Sequence, residues 1–196
     1  MKNSLGQKNI SSKAFKVENT SFTNESLQQD AYTDTAFIKC IFSETQFYNT
    51  HFIDCVFQDC EFKLNKWDGA RIQNCLFLDS KLVGADLFKC SPFLFSLSFK
   101  NCHIILANFS GLPMNEVMFE NCRLSECYFN HTQLKRANFT GSNLKATHFH
   151  GCDLTQADFS SASEYFIDPS SNKIQKAKFS LPEVIGLLKG LEIDLV

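Results

Sequence analysis

The chain has 196 residues and a formal net charge of −2, with 44% hydrophobic and 20% charged residues. That length fits one domain, and so even a charge balance gives no general pull toward nucleic acid or anionic membrane. No apolar run approaches the roughly 18 residues of a membrane span, and the polar, basic start lacks the apolar core of a signal peptide, which points to the cytoplasm.

Residues 1–16 carry Lys2, Lys8, Lys13 and Lys16 and no acid. Leu5, Ile10 and Phe15 are the large apolar side chains there. This segment either opens the repeat imperfectly or covers its open end.

From residue 17 to 161 the chain reads in fives, as in Ala137-Asn-Phe-Thr-Gly followed by Ser142-Asn-Leu-Lys-Ala. A small residue is followed two places later by an apolar centre. A period of five belongs to neither helix nor strand. It predicts an all-β solenoid, whose units each bury their apolar residue only against stacked neighbours. Centres run from Phe22 to Leu87, lose register at Pro92, and resume two residues later at Leu94, continuing to Phe159. If four units make one square coil, one column is Phe37, Phe57, Phe77, Phe99, Phe119, Phe139 and Phe159. This unbroken Phe column supports both a quadrilateral coil and an insertion at Pro92. Positions two after a centre, such as Gly69, Gly84, Gly111, Gly141 and Gly151, are expected at the corners.

The small position also holds Cys40, Cys55, Cys60, Cys75, Cys102, Cys122, Cys127 and Cys152, and Cys90 if the first register is extended. Cysteine is there a small buried hydrophobe rather than a metal ligand or half-cystine. Glu25 and Asp30 fall at the same position, so the coil around Leu27 to Tyr32 is expected to be distorted, looped or open to water. Leu97 and Leu112 are large for their positions, which marks an irregular middle together with residues 91–95. Phe88, Phe93 and Phe95 either point outward there or are buried by a folded-over bulge.

After Phe159 the repeat ends. Ile174 to Phe179 reads as one more edge strand. Ser180-Leu-Pro-Glu183 reads as a capping box starting a short C-terminal helix that Gly190 stops. Its stripe of Val184, Ile185, Leu188 and Leu191, with Leu181, is expected to cap the solenoid and to join two copies in a homodimer. The domain reading is therefore an N-terminal segment 1–16, a β-helix 17–161 and a capping and dimerisation module 162–196.

Catalytic signatures are missing. The chain has no Gly-rich phosphate loop, nucleophile elbow or spaced acid pair in a plausible cleft, so no enzyme activity and no cofactor are expected. His131, His148 and His150 share one face, but they are read as surface residues rather than metal ligands. Function falls to the outer surface.

The units resemble those of the pentapeptide-repeat family: Ala137-Asn-Phe-Thr-Gly, Ala107-Asn-Phe-Ser-Gly and Ala157-Asp-Phe-Ser-Ser are close matches over about residues 17–161. The resemblance implies a right-handed quadrilateral β-helix. The end of the chain, with Ile167-Asp-Pro, then Phe179-Ser-Leu-Pro-Glu and Leu187-Leu-Lys-Gly-Leu-Glu-Ile, is similar to that of a subgroup holding the quinolone-resistance Qnr proteins, the microcin immunity protein McbG and the albicidin-resistance protein AlbG. It implies a dimeric DNA mimic that binds DNA gyrase, with topoisomerase IV as a further target, protects it from a topoisomerase poison, and does not itself bind nucleic acid. The alternative is a general protein-interaction scaffold with an unrelated partner. Mimicry is expected to rest on local placement of Asp54, Asp59, Asp79, Asp86, Glu116, Glu120 and Asp158, the candidate partner-binding surface.

Overall fold

The computed structural model describes residues 14–27 and 31–191, with side chains described through residue 188. It is a parallel β-solenoid of about eight turns with almost no helix. Each coil has four faces. The first carries Val17 and the Phe column, and each following face is centred five residues later. Short strands stack in parallel across coils: Ala36 pairs with Val56 and Val56 with Leu76 on the first face, and Phe42 with Phe62 and Phe62 with Leu82 on the second. The third and fourth faces are laddered the same way, Tyr128 with His148 and Phe52 with Ile72.

The five-residue period becomes a square because each side is one short extended segment ended by a tight corner. Within a segment alternate side chains turn inward, so the centre and the small residue two places before it both enter the core. The corner residue takes a positive φ, as at Asn49 (53°), Asp59 (53°) and Gly84 (66°). Asn and Asp tolerate this region better than other side chains. At Gly69 (69°) a Cβ would lie 2.2 Å from Asn49 Oδ1, so any larger residue there needs the Asn49 side chain to move. Burying each large centre contributes about 2 kcal/mol, and stacking adds ring contacts: Phe57 and Phe77 lie 4.7 Å apart between centroids, and Phe139 and Phe159 4.8 Å.

The small position does more than fit. Thr45 Oγ1 donates to the Phe22 carbonyl at 2.7 Å, Ser142 Oγ to that of Phe119 at 2.7 Å, and Cys75 Sγ to that of Phe52 at 3.3 Å. Ser, Thr and Cys therefore satisfy carbonyls of the preceding coil, which explains their use beside Ala.

The register shift is an insertion. Leu76 pairs with Ser98 and Lys81 with His103, so one coil is two residues longer. Phe95 rather than Leu94 fills the core here. Leu94 is exposed, because it takes the positive φ of a corner, while Phe93 and Phe88 point outward. Leu97 and Leu112 are fully accommodated in the stack.

Coiling begins earlier and ends later than the period indicates. Phe15–Glu18 pairs with Thr35–Ile38, which makes Val17 the first member of the Phe column, and Lys178–Phe179 pairs with Asp158–Phe159. In the last coil Phe149 pairs with Ile167, and the corner at 168–171 restores the lost length, with Asp168 accepting from Ser170 N at 2.8 Å. Around Leu27 the coil is regular on both sides of residues 28–30: Ser26 bridges Gln46 and Ala31–Thr33 pairs with His51–Ile53. Glu25 is exposed rather than buried, so it imposes no desolvation cost.

The C-terminal element differs from the capping-box expectation. It is a 3₁₀ helix, Glu183–Leu191, which runs through Gly190. Ser180 Oγ accepts from Ser161 N at 3.0 Å, one coil away, instead of capping the helix. Leu187 is buried and Val184 packs on the core, whereas Leu181 and Ile185 are exposed and Leu188 is half-buried. The three-residue turn puts i and i+3 on one side, so the inward pair is Val184 and Leu187, not the α-helical stripe. The expectations for residues 1–13, for Asp30, for the Leu191 side chain and for the tail 192–196 lie outside the described residues.

Candidate partner-binding surface

Large centres fill the interior, and all nine cysteines are buried free thiols. Burial is the main cause that pushes Cys60 and Cys127 up to about 12 and Cys152 up to about 11. Cys122 is also raised, first by its hydrogen bonding with the Cys102 thiol and then by burial. Such thiols are protonated and poor nucleophiles. A recess of about 110 Å³ beside the insertion, lined by Phe95, Ser96, Met114 and Glu116 among others, is smaller than the ~300–1,000 Å³ of a typical ligand site. The histidines meet as rings: His148 stacks on Tyr128 at 5.0 Å, and His131 meets His150 edge-on at 5.8 Å. Among the described residues no group of three or more His, Cys, Asp or Glu is arranged to hold a metal ion, and no helix is long and apolar enough to cross a membrane.

The seven candidate acids do not form one patch. Asp59 and Asp79 share the corner between the first and second faces, one coil apart, and Asn101 Nδ2 donates to Asp79 Oδ1 at 2.9 Å. Asp54 and Glu116 share the corner between the fourth and first faces, three coils apart. Asp54 accepts from Asn74, and Glu116 is held by Arg136. Glu120 and Asp158 lie on the first face, paired with Lys100 at 3.1 Å and Lys178 at 2.9 Å. Asp86 is on the third face with Lys89 at 3.6 Å. Burial opposes ionisation of Asp158, but the Ser160 and Lys178 hydrogen bonds outweigh it and hold its pKa below the usual value.

One surface feature was not recognised from the sequence. Lys63, Lys81, Arg123 and Lys145 flank centres of the second face and make it basic, with Glu61 the acid beside Lys81 at 3.7 Å. Sorting the residues before and after each centre by face would have shown it. A second surface feature is apolar and fulfils the outward alternative expected for Phe93, which is 64% exposed under the Arg71 guanidinium, beside Leu94. At the opposite end, Phe166 and Ile185 border a shallow groove with Tyr165, Pro182 and Glu183, and Leu181 is 79% exposed nearby.

Residues 92–164 match the family model described as the pentapeptide repeat region. No curated protein matches the sequence. Among solved structures, a trypsin-treated form of QnrB1, a plasmid-mediated fluoroquinolone resistance protein, is similar at 17% identity over 93% of this chain and 98% of that one, with a TM-score of 0.49. HetL, involved in heterocyst differentiation regulation in the cyanobacterium Nostoc sp. strain PCC 7120, is similar at 14% identity over 83% of this chain and 84% of its own, with a TM-score of 0.44. The same four-sided parallel coil extends beyond the matched residues 92–164 on both sides, so the fold is that of pentapeptide-repeat β-helix structures.

Proposed function

We propose that the chain is a non-catalytic protein-binding rod that engages DNA gyrase, with topoisomerase IV as a further target, and shields it from a poison such as a quinolone, albicidin or microcin. The observation that carries the binding role is the filled interior, which leaves recognition to the outer surface. The topoisomerase target is supported by the resemblance of the repeat units and of residues 167–193 to the resistance subgroup. Asp59 and Asp79, stacked one coil apart on one edge, are the acids best placed to imitate a phosphate row. Their coil spacing of ~4.8 Å compares with one phosphate per ~3.4 Å along a DNA strand. Glu116, Glu120, Asp158 and Asp86 are ion-paired and contribute less. Two copies joined through Leu181 and Ile185 would double the length of that edge.

A second reading, a scaffold for an unrelated protein, is favoured by the basic second face and the exposed Phe93 and Leu94, which have no counterpart in a DNA duplex. Supercoiling by purified gyrase in the presence of each poison separates the two. Restored supercoiling with added protein supports the first. No effect on gyrase, with or without poison, together with a pull-down that enriches another protein, supports the second.

A further inference from the structure

The corner between the second and third faces holds large apolar side chains in an unfavourable backbone conformation. Leu64 and Leu106 take φ of 51° and 55°, as the corners require, and are 53% and 49% exposed. Among the described residues at positive φ, leucine is the only large apolar type; the remaining corners use polar or charged residues, glycine or Ala146. A leucine there gains neither core burial nor the local hydrogen bonds with which Asn and Asp tolerate this region. Gly84 lies between the two, one coil from each, and the Leu64 side chain reaches over it: a Cβ at Gly84 would lie 2.7 Å from Leu64 Cδ2. Val83 and Ile105, partners in the parallel ladder and half-buried, extend the apolar row onto the second face. Beside it runs a second row in the same register, Lys81, His103 and Arg123, all exposed. Lys63 and Lys145 stand at the two ends of the Val83 column. Glu61 is the acid of the face, and its solvent-exposed contact with Lys81 at 3.7 Å neutralises little.

We propose that this strip of the second face docks an acidic, amphipathic protein segment laid along the rod axis. Charge complementarity and the leucines choose this occupant. Lys63, Lys81, Arg123 and Lys145 against Glu61 leave the face at +3, on a chain whose net charge is −2, so the face attracts acids that the rest of the rod repels. Nucleic acid would meet the cations but leave Leu64, Val83, Ile105 and Leu106 without an apolar partner; an amphipathic segment meets both rows. The spacing suits a helix: Lys81 to Arg123, like Leu64 to Leu106, spans two coil steps of ~4.8 Å, close to the ~10.5 Å between residues i and i+7. Asp59 and Asp79 stand on the opposite edge of the face, and Glu44 and Glu126 on the leucine corner above and below the leucines, which confines the segment's acids to the Lys81–Arg123 row. The proposal rests on the scaffold reading, whose partner's chemistry it names, and it is tested without gyrase, so its failure and the failure of the topoisomerase reading are separate results.

Selection from a displayed library of random peptides on the immobilised full chain tests it, with peptides of about 16 residues, enough to span both rows as a helix. The enriched peptides are expected to be acidic, to carry Leu, Ile, Val or Phe, and, once synthesised, to bind saturably in fluorescence anisotropy. Lys81→Glu with Arg123→Glu should weaken that binding at least ten-fold, and Leu64→Asn with Leu106→Asn at least five-fold. Because Asn suits a left-handed corner, the leucine variant should melt no lower than the parent chain, which separates a contact role from a structural one. Failure to enrich acidic peptides, or binding that the leucine changes leave intact, overturns the proposal. So does a single-stranded oligonucleotide that competes for the same cations and binds more tightly than the peptides. If circular dichroism shows that charge reversal has unfolded the chain, Lys81→Gln with Arg123→Gln replaces it, with the same outcomes.

Discussion

Replacing Phe77 by alanine removes an interior member of the Phe column. Its ring is fully buried, stacked on Phe57 at 4.7 Å and Phe99 at 5.0 Å and met edge-on by Phe62 at 5.5 Å. Truncating such a core Phe costs about 3–5 kcal/mol, with the upper part of the range expected where ring pairs are lost on both sides. At roughly 2–4 °C per kcal/mol for a chain of this size, Tm should fall by about 6–20 °C. Phe179 is the comparison: half-buried at the end of the column, it stacks only on Phe159, at 5.2 Å, beside Tyr165. Phe179→Ala should cost less than half as much. Because each coil touches only its neighbours, the loss at Phe77 also weakens coupling between the two halves of the rod. Urea unfolding followed by circular dichroism and by Trp67 fluorescence should then give separated transitions in Phe77→Ala and coincident ones in Phe179→Ala. Equal costs for the two variants would refute the reasoning that stacked interior coils hold the fold.

The buried thiols should resist iodoacetamide at neutral pH in the native protein, and all should react once urea unfolds it. Folded Cys60, Cys127 and Cys152 titrate at about 11–12, above the usual 9.0, so the stability they contribute is complete below pH 9 and lost as pH rises through 11–12. The urea midpoint should fall across that window, and a flat midpoint would contradict the burial. Asp59→Asn with Asp79→Asn should change stability by no more than about 0.5 kcal/mol while weakening gyrase binding at least ten-fold, whereas ion-paired Asp86→Asn should leave both unchanged in calorimetric titration. Leu181→Asp with Ile185→Asp should convert a dimer to a monomer in light scattering. A wild-type chain that is already monomeric would remove the role given to these residues.

The coil was legible because the period repeats over the whole repeat region. The insertion was legible because the Phe column closes only if two residues are added near Pro92. Which side chain fills the gap was not: Leu94 and Phe95 are both apolar, and the choice follows from which of them takes the left-handed corner. The ends were harder for the same kind of reason. Val17 lacks the aromatic signature of its column, and Tyr165 and Ile167 enter the core after a two-residue shortening that only the backbone register reveals. The 3₁₀ winding of Glu183–Leu191 exchanges Leu187 for Leu188 as the buried residue, a difference no apolar count detects. The acids were identifiable as surface residues. Their partners were not, because Arg136, Lys100 and Lys178 lie one coil away from the acids they neutralise.

The central functional claim is recognition of a type II topoisomerase by the outer surface of the rod. Equilibrium binding of the intact chain to purified gyrase, followed by biolayer interferometry at fixed salt with duplex DNA as competitor, tests it most directly. The expected result is saturable binding that duplex DNA displaces and that Asp59→Asn with Asp79→Asn weakens. Absence of binding, or binding indifferent to DNA and to those two acids, would contradict it.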